Sequence, residues 1–329
     1  MRGAPWSRTT RAAILTTVAA VLLAACGSGG NYPATQVPPS TTTPPAKVAT
    51  PASATCTPDF LTSYAPLPSL DTNLLTSDKF AAEMTKRGRL RVGVSADSVL
   101  LGANNPLTNP STIEGFDIDF ARAVAKARFG DENKIQLVVI PAADRIPALM
   151  TDRVDMVARN MSMTCARWGQ IAFSAEYYQA GLKLLVAKGA TDTTFAALKA
   201  SQKSVCAPTG TSTIDFVRTQ GVTVVGAATH TGCLVLFQQG KVDAIAGDDT
   251  VLAGLVAQDP YAVVPKATAL TVEPYGLGFN LGNKALVQFT NTLLDQMKAD
   301  GRWKAIYDKW FAGPLGPAPA PPVSKYGRP

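Results

Sequence analysis

The amino-acid sequence predicts an α/β protein built from two lobes. Between residues 90 and 246, apolar strand-like segments alternate with segments of helical periodicity, a pattern typical of parallel α/β sheets. The alternation comes in two successive series, which indicates two sheets. The length of 329 residues also suits two domains, because one domain usually holds roughly 100–200 residues.

Each series can be read element by element from the periodicity of its apolar residues. The first contains a polar helix over 78–87, a strand over 90–94, a helix over 116–129, a strand over 135–140, a short helix over 145–152 and a strand over 154–158. The second contains strands over 182–187 and 204–207, a helix over 212–220, a strand over 222–225, a helix over 233–239 and a strand over 242–246. Ligands of such sheets bind beyond the carboxyl ends of the strands, so binding residues are expected in the loops that follow them.

The N-terminal segment is typical of an export signal. Residues 1–11 are basic, and residues 12–25 form an apolar, uncharged run that is too short to span a bilayer but fits a signal peptide. The run ends in Leu23-Ala24-Ala25-Cys26, which resembles a bacterial lipobox; an ordinary cleavage site with a chance cysteine is the alternative. We expect a lipoprotein signal peptide over 1–25, lipidation of Cys26, and anchoring on the extracytoplasmic face of the cell membrane.

Proline is concentrated towards both ends of the chain. Of the 24 prolines, nine lie in residues 27–70 and six in residues 313–329. Segments rich in Pro, Thr and Ser bury little apolar surface and are typically extended. The sequence therefore predicts a tether over 26–74 and a Pro-rich tail over 313–329.

Composition argues against several classes of protein. The single histidine, His230, excludes a multi-histidine metal site and would have to serve any Ser–His–Asp triad. No C-x-x-C, P-loop or dinucleotide-binding glycine motif occurs, and no pair of acids is typical of acid–base catalysis. The net charge of +7 includes three arginines of the predicted signal peptide, and the other basic residues are scattered. We expect no catalytic residue, cofactor, metal or nucleic-acid partner.

The segment Gly115-Phe-Asp-Ile-Asp-Phe120, followed by Val124-Ala125, is a compact motif. On its own it fits a strand-to-helix turn with acids at the positive end of the helix. Further segments follow in order: Arg145-Ile-Pro-Ala-Leu149, Val154-Asp155, Met161-Ser-Met-Thr164, Phe173-Ser174, Gly210-Thr-Ser212, Tyr275-Gly276 and Asp300-Gly-Arg-Trp303. Together they resemble family 3 of the extracellular solute-binding proteins, which bind polar amino acids for ABC importers. The likeness covers residues 75–312 and is greatest to GlnH and glutamate-binding lipoproteins of actinobacteria; Arg128 departs from the motif.

The resemblance implies the two-lobed type II fold of periplasmic binding proteins. Lobe 1 is then expected to combine residues 75–180 with 274–312, and lobe 2 to span 181–273. Two crossings, near 179–181 and 272–274, would form a hinge that closes around the ligand. A closed, monomeric receptor would then dock on an ABC permease.

Four cysteines remain besides Cys26, and an even number in an exported protein indicates two disulfides with three possible connectivities. Buried free thiols are the alternative. Cys206 and Cys233 fall in the same expected lobe, which favours Cys206–Cys233 together with Cys56–Cys165.

An α-amino acid carries a carboxylate and an ammonium on one carbon, so its site must offer a fork of donors and an acid. Arg167 suits the carboxylate through two parallel hydrogen bonds, and Ser162 and Thr211 can add hydroxyl and N–H donors. Asp248 can pair with the ammonium, with Asp249 as the alternative. The family places these functions at the matching positions. A surface role for Arg167 and a helix-capping role for Asp248 are the structural alternatives.

The side-chain end of the ligand is where substrates differ. Arg145 lies in an Arg-Ile-Pro stretch that meets the distal carboxylate in glutamate/aspartate-binding members of the family, whereas glutamine-binding members are apolar there. Arg159 is a second candidate for this role. A buried cation favours an acidic ligand, because burial without a counter-charge is costly. Ser95 and Asn160 also occupy ligand-facing positions of the family, but both differ from its usual residues.

The expected function is delivery of Glu or Asp, with Gln and Asn as alternatives, to an ABC importer. Two rivals keep the same fold: a sensor that presents its closed form to a membrane signalling protein, and a periplasmic enzyme similar to cyclohexadienyl dehydratase. The sequence does not separate transport from sensing. The enzyme needs an acid–base group in the cleft, and Arg167 and Asp248 suit an intact amino acid equally well.

Overall fold

The structure is a computed structural model that describes residues 56–75, 79–108 and 110–329. The predicted signal peptide, the lipidation site Cys26 and the first thirty residues of the predicted tether lie outside these residues. Two lobes, each with its own sheet, make up the described part of the chain. This confirms the α/β, two-lobed fold class.

Lobe 1 is built on a five-stranded mixed sheet. Its strands, in spatial order, are β6 (Ile135–Val139), β2 (Leu90–Val94), β7 (Met156–Val157), β15 (Gly278–Asn280) and β8 (Ile171–Phe173). Strand β2 runs parallel to both of its neighbours, whereas β15 is antiparallel to β7 and β8. Two separate stretches of the chain therefore build this lobe.

The other elements of lobe 1 surround this sheet. A small antiparallel sheet contains β3 (Asp97–Ser98), β4 (Gly102–Asn105) and β5 (Thr112–Glu114). The helices are α1 (Lys79–Arg87), α2 (Phe116–Phe129), α3 (Arg145–Met150), α4 (Cys165–Trp168), α9 (Lys284–Ala299), α10 (Arg302–Trp310) and α11 (Ala312–Leu315).

Helix α2 shows why the Gly-Phe-Asp motif has its sequence. Gly115 precedes the first turn with a φ of +148°, and a Cβ atom there would lie 2.3 Å from the carbonyl carbon and oxygen of Leu101. Only glycine fits this position. Phe116 and Phe120, four residues apart on one helix face, are buried. The Phe116 ring stacks on Phe311 with centroids 4.4 Å apart, so the motif fixes α2 to the end of α10.

Lobe 2 is built on a second sheet whose strands lie in the order β11 (Thr223–Ala227), β10 (Ser204–Pro208), β12 (Ala244–Asp248), β9 (Tyr178–Ala187) and β13 (Ala262–Val263). Strand β10 is parallel to both neighbours, and β9 is antiparallel to β12. Helices α5 (Phe195–Ala200), α6 (Ser212–Thr219), α7 (His230–Gln238) and α8 (Asp249–Val256) cover it. Two hydrophobic clusters, one on each face, bury successive residues of β10 and β9, which explains their nearly continuous apolar sequence.

The two lobes are connected by a pair of antiparallel strands. Strand β14 (Val272–Tyr275) pairs with the first half of β9, with Val272 opposite Gly181 and Tyr275 opposite Tyr178. The predicted crossings at 179–181 and 272–274 fall on this pair. Because paired strands bend together, the two connections form one ribbon between the lobes.

The described end of the predicted tether, residues 56–74, and the predicted tail, residues 313–329, make contacts that extended segments would not make. Residues 56–75 contact lobe 1, and strand β1 (Thr62–Tyr64) pairs in parallel with β16 (Lys325–Arg328) of the predicted tail. The amide of Asn291 donates to the Ser63 hydroxyl and the Tyr64 carbonyl at 3.0 and 2.8 Å. Proline content alone does not reveal these contacts, since they depend on a side chain of α9 that is distant in sequence.

Both predicted disulfides are present in the structure. Cys56–Cys165 joins the segment before β1 to helix α4, and Cys206–Cys233 joins β10 to α7. Among the described residues, no helix is both long enough and apolar enough to span a membrane.

Candidate functional site

A narrow cavity lies between the lobes; its volume of about 10 Å³ has room for about one water molecule. Lobe 1 contributes Ala142, Arg145, Arg159 and Asn160 to its lining, and lobe 2 contributes Pro208, Thr211, Thr213, Thr229, His230 and Asp248. Pro208 and Asp248 are the last residues of β10 and β12. The cavity is thus at the carboxyl ends of strands, where ligands of such sheets bind.

Arg145, the first residue of α3, is 2% exposed. Among the described residues, its guanidinium donates only to backbone carbonyls: Ala142 at 2.9 Å, Arg159 and Asn160 at 3.2 Å, and Gly210 across the cleft at 3.3 Å. Burial, together with the charges of Arg167 and Arg159, holds its pKa well below the ordinary value. Arg145 is therefore a cation whose hydrogen-bond partners are all neutral.

Asn160 lies beside Arg145 in an unusual backbone conformation, with a φ of +33°. Its N–H donates to the Asp117 carboxylate at 2.7 Å, and the Tyr177 hydroxyl donates to the same carboxylate at 2.7 Å. Burial raises the pKa of Asp117 to about 6. Asp117 thus fixes the loop that follows β7. From the sequence motif alone, Asp117 is expected only as an acidic residue at the start of a helix.

Arg159 is almost fully buried, and its Nε has no hydrogen-bond partner among the described residues. Burial lowers the pKa of its guanidinium, and the nearby carboxylates of Asp97 and Asp117 act in the opposite direction. Arg159, the second candidate to meet the side-chain end of the ligand, lines the cavity together with Arg145.

Arg167 and Ser162 lie next to the cavity rather than in its lining. One Arg167 nitrogen donates to the Ser162 carbonyl at 2.6 Å. Burial lowers the pKa of Arg167, against the effect of the Glu273 and Asp248 carboxylates. The Ser162 hydroxyl faces that of Ser212 in lobe 2 at 3.5 Å.

Thr211 and Asp248 approach the cavity from lobe 2. Thr211 caps α6, where its hydroxyl accepts from the Ile214 N–H at 3.1 Å. One Asp248 oxygen accepts from the Tyr275 hydroxyl at 2.6 Å, and the other is buried without a hydrogen-bond partner among the described residues. Burial and the neighbouring Glu273 carboxylate raise the pKa of Asp248 to about 7.

Two further residues that the sequence predicts at the site, Asp249 and Ser95, also lie outside the cavity lining. The Asp249 carboxylate accepts from the Thr250 N–H at 2.8 Å at the start of α8. The Ser95 hydroxyl bonds to Asp97 and Ser98 at 2.8 and 2.9 Å. Of the two neighbouring acids, Asp248 is the one placed at the cavity.

His230 lines the cavity but was not among the candidate residues. Burial and the charge of Arg159 lower its pKa to about 4, so the ring is neutral at pH 7. Its Nε2 is buried and has no hydrogen-bond partner among the described residues. The available signal was its position at the start of a helix that follows strand β11.

The lining combines two arginines, one aspartate, hydroxyl groups and a neutral imidazole. Such a set can hold a small ligand that carries both charges, with more negative than positive groups. In the described ranges, no cluster of three or more His, Cys, Asp or Glu residues could hold a metal ion.

Two lobes with a polar cleft between them define a type II periplasmic binding protein, and solved structures of this class match the chain. They include holo ArgBP from T. maritima (29% identity, TM-score 0.61, 70% of this chain and 99% of that one). They also include a solute receptor for L-cysteine of Neisseria gonorrhoeae (26% identity, TM-score 0.67, 72% and 95%).

Residues 90–313 match the model of the bacterial extracellular solute-binding proteins, family 3, and the chain belongs to this family. Among its relatives is the ABC transporter glutamine-binding protein GlnH of Bacillus subtilis, 32% identical over 233 residues, 70% of this chain and 84% of that protein. Another is the glutamate/aspartate import solute-binding protein of Escherichia coli, 26% identical over 256 residues, 74% and 81%. The predicted family resemblance is thereby confirmed.

Proposed function

We propose that the protein is a lipid-anchored extracytoplasmic receptor that binds Glu or Asp and delivers it to an ABC importer. The observation that carries the specificity is Arg145. It is buried in the cavity lining, and each of its hydrogen bonds goes to an uncharged carbonyl.

The charges of the cavity support an acidic ligand. Arg145 and Arg159 both line it, whereas Asp248 is the only acidic residue in the lining formed by the described part of the chain. A buried cation is costly without a counter-charge, which a distal carboxylate would supply. Relatives include proteins named for arginine as well as glutamine and glutamate/aspartate; here a cationic ligand side chain would meet two arginines.

The α-amino acid end would be held from both lobes. The unpartnered oxygen of Asp248 suits the ammonium, and Tyr275 orients that carboxylate. Arg167, Ser162 and Thr211 are the candidate donors to the α-carboxylate, with Arg167 reaching it by exchanging its bond to the Ser162 carbonyl.

Glutamine is the second candidate ligand, and His230 is the observation that favours it. The neutral ring leaves Nε2 buried without a hydrogen-bond partner among the described residues. A ligand amide can donate to such a nitrogen, while Arg145 donates to the amide oxygen. A carboxylate can use only the second of these contacts unless the histidine gains a proton.

Anchoring and delivery rest on the sequence and on the relatives. Cys26 follows the predicted export signal, and the two relatives named above are an ABC transporter glutamine-binding protein and a glutamate/aspartate import solute-binding protein. The relatives named above are all named as binding proteins, and we propose a receptor rather than an enzyme. We further propose that it is monomeric and works without a cofactor, a metal or nucleic acid. In cells, the Cys26→Ala variant should leave the membrane fraction; retention there would contradict the lipid anchor.

The test of ligand class is isothermal titration of the full chain in detergent with Glu, Asp, Gln and Asn, after unfolding and refolding to strip bound ligand. Arg145→Lys keeps the positive charge but loses the pair of parallel N–H donors of the guanidinium. This variant should raise the Kd for Glu at least tenfold and the Kd for Gln by a smaller factor. Arg153→Lys, at an exposed arginine just beyond α3, is the matched control. Binding of Gln alone would overturn the acidic specificity, and binding of none of the four would overturn the amino-acid receptor.

A further inference from the structure

Helix α4, which carries Arg167, contacts two segments that are distant from it in sequence, one containing Cys56 and Phe60 and one containing Arg328. Cys165, its first residue, is bonded to Cys56. Trp168, its last residue, donates its indole N–H to the Phe60 carbonyl at 2.7 Å. The Arg328 guanidinium lies over the Trp168 ring, 3.7 Å from its centroid.

These contacts come from two segments, residues 56–64 and 324–328, which we call the terminal clasp. The family match covers residues 90–313, so both segments lie outside it. Arg328 connects them, because its Nε donates to the Thr62 carbonyl at 2.8 Å and a terminal nitrogen to the Asp59 carbonyl at 3.2 Å. The clasp is thus an addition to the matched part of the fold.

The clasp is fixed to lobe 1 rather than hanging from it. The Ser63 hydroxyl donates to the Phe173 carbonyl at 2.8 Å, next to α4 in the sheet edge β8. On the tail, Ser324 and Tyr326 both donate to the Asp295 carboxylate at 2.7 Å. A support anchored at several points can hold a helix end in one position.

Helix α4 needs such a support because it is a single turn of four residues. Within its own segment, Thr164 caps it by accepting from the Arg167 N–H at 3.3 Å. A helix this short has little stability by itself. The disulfide and the tryptophan contacts fix the residues on both sides of Arg167, and with them the direction of its side chain.

We propose that the terminal clasp is a positioning device for Arg167 and thereby sets the affinity for the ligand α-carboxylate. The inference rests on the proposed function, since it needs Arg167 to meet that group. Arg328 and Trp168 act through Arg167 and are positioning residues. In enzymes, a misplacement of about 1 Å can lower the reaction rate about a hundredfold. Binding through a pair of directed hydrogen bonds depends on orientation too, so a change in the clasp should alter the Kd measurably.

The test compares two variants of the same strand in the full chain. Arg328→Ala removes the stack on Trp168, whereas Tyr326→Phe removes one hydrogen bond to Asp295 and leaves α4 untouched. Titration with L-glutamate and L-glutamine should give a Kd about tenfold higher for Arg328→Ala with both ligands, because both share the α-carboxylate. Tyr326→Phe should stay within twofold of the wild type. Thermal unfolding is measured in parallel.

The distinguishing readout is the same Arg328→Ala change in an Arg167→Lys background. If the clasp acts through Arg167, its effect should fall below twofold there. Two results would contradict the positioning role of the clasp and leave the proposed function intact. One is an effect of Arg328→Ala on the Kd that stays the same in the Arg167→Lys background. The other is an unchanged Kd in the single variant Arg328→Ala while the wild type binds ligand. Binding of neither ligand by the wild type would overturn both. If Arg328→Ala fails to fold, Arg328→Lys replaces it in the test. This variant keeps the charge but loses the planar stack on Trp168, and its Kd should again be higher than that of Tyr326→Phe and of the wild type.

Discussion

The two lobes approach each other closely at Gly254, and we expect the proposed closure of the cleft to depend on this contact. This residue lies in α8 of lobe 2, and a Cβ atom there would be 2.4 Å from the carbonyl oxygen of Val99, in the turn between β3 and β4 of lobe 1. Gly254→Ala should therefore separate the lobes by about 1 Å, the difference from an ordinary contact distance. The substituted residue does not line the cavity.

The size of the effect follows from the cost of overpacking. Forcing an extra carbon into a packed interface costs about 1–3 kcal/mol, which corresponds to an increase in Kd of about 5–150-fold if it falls on the closed form alone. Within α8 itself, alanine favours the helix by about 1 kcal/mol over glycine. Affinity and stability should therefore move in opposite directions.

The assay is titration of the variant with the preferred amino acid, together with thermal unfolding without ligand. Gly232→Ala in α7 is the matched control, since its Cβ would lie 3.4 Å from the Ala227 Cβ, an ordinary contact. The expected result is weaker binding at equal or higher unfolding temperature for Gly254→Ala and unchanged binding for the control. Equal affinity in both variants would refute the closure argument, because the Val99 turn would then have moved at no cost.

Two further results are expected. The pKa of Asp248 is raised to about 7, so its carboxylate is charged above that pH and neutral below it. The Kd for any amino acid should therefore rise about tenfold between pH 8 and pH 6. Titration in two buffers of different ionisation enthalpy should detect proton release on binding at pH 6, and a Kd that does not change with pH would exclude Asp248 as the ammonium partner. Replacing Cys206 and Cys233 together by serine should lower the free energy of unfolding by about 3 kcal/mol and leave the Kd unchanged, as followed by denaturant unfolding and titration; a large loss of affinity would mean that the bond also shapes the cavity.

The order of strands and helices could be predicted because it rests on local periodicity. The burial of Phe116 and Phe120 and the need for glycine at position 115 follow from the pattern of a strand-to-helix turn. The position of Asp248 at the end of a strand could likewise be predicted, but the choice between Asp248 and Asp249 needed the structure, where Asp248 lines the cavity. Wherever the chemistry depends on a residue and its sequence neighbours, the sequence was sufficient.

The rest depends on contacts between distant residues. Ser95 is at the end of a strand, as a binding residue would be, but its hydroxyl is satisfied by Asp97 and Ser98. His230 was considered only for catalysis and metal binding, and its place in the cavity becomes evident once the lobes meet. Similarly, the pairing of β1 with β16 joins segments more than 260 residues apart, and no local pattern announces it.

Two of the charged groups proposed to meet the ligand, Arg145 and Asp248, also make contacts that connect the lobes. Arg145 of lobe 1 donates to the Gly210 carbonyl of lobe 2, and Asp248 of lobe 2 accepts from Tyr275 on the connecting strand. In this structure Arg145 is close enough to Asp248 for their charges to interact, and it is also near Arg159 and Arg167. An anionic group between these arginines reduces their repulsion most in the closed form, where they are least solvated. A ligand shifts the equilibrium between open and closed forms only as far as it binds the closed form more tightly. The charge of the ligand should therefore determine how far it favours lobe closure.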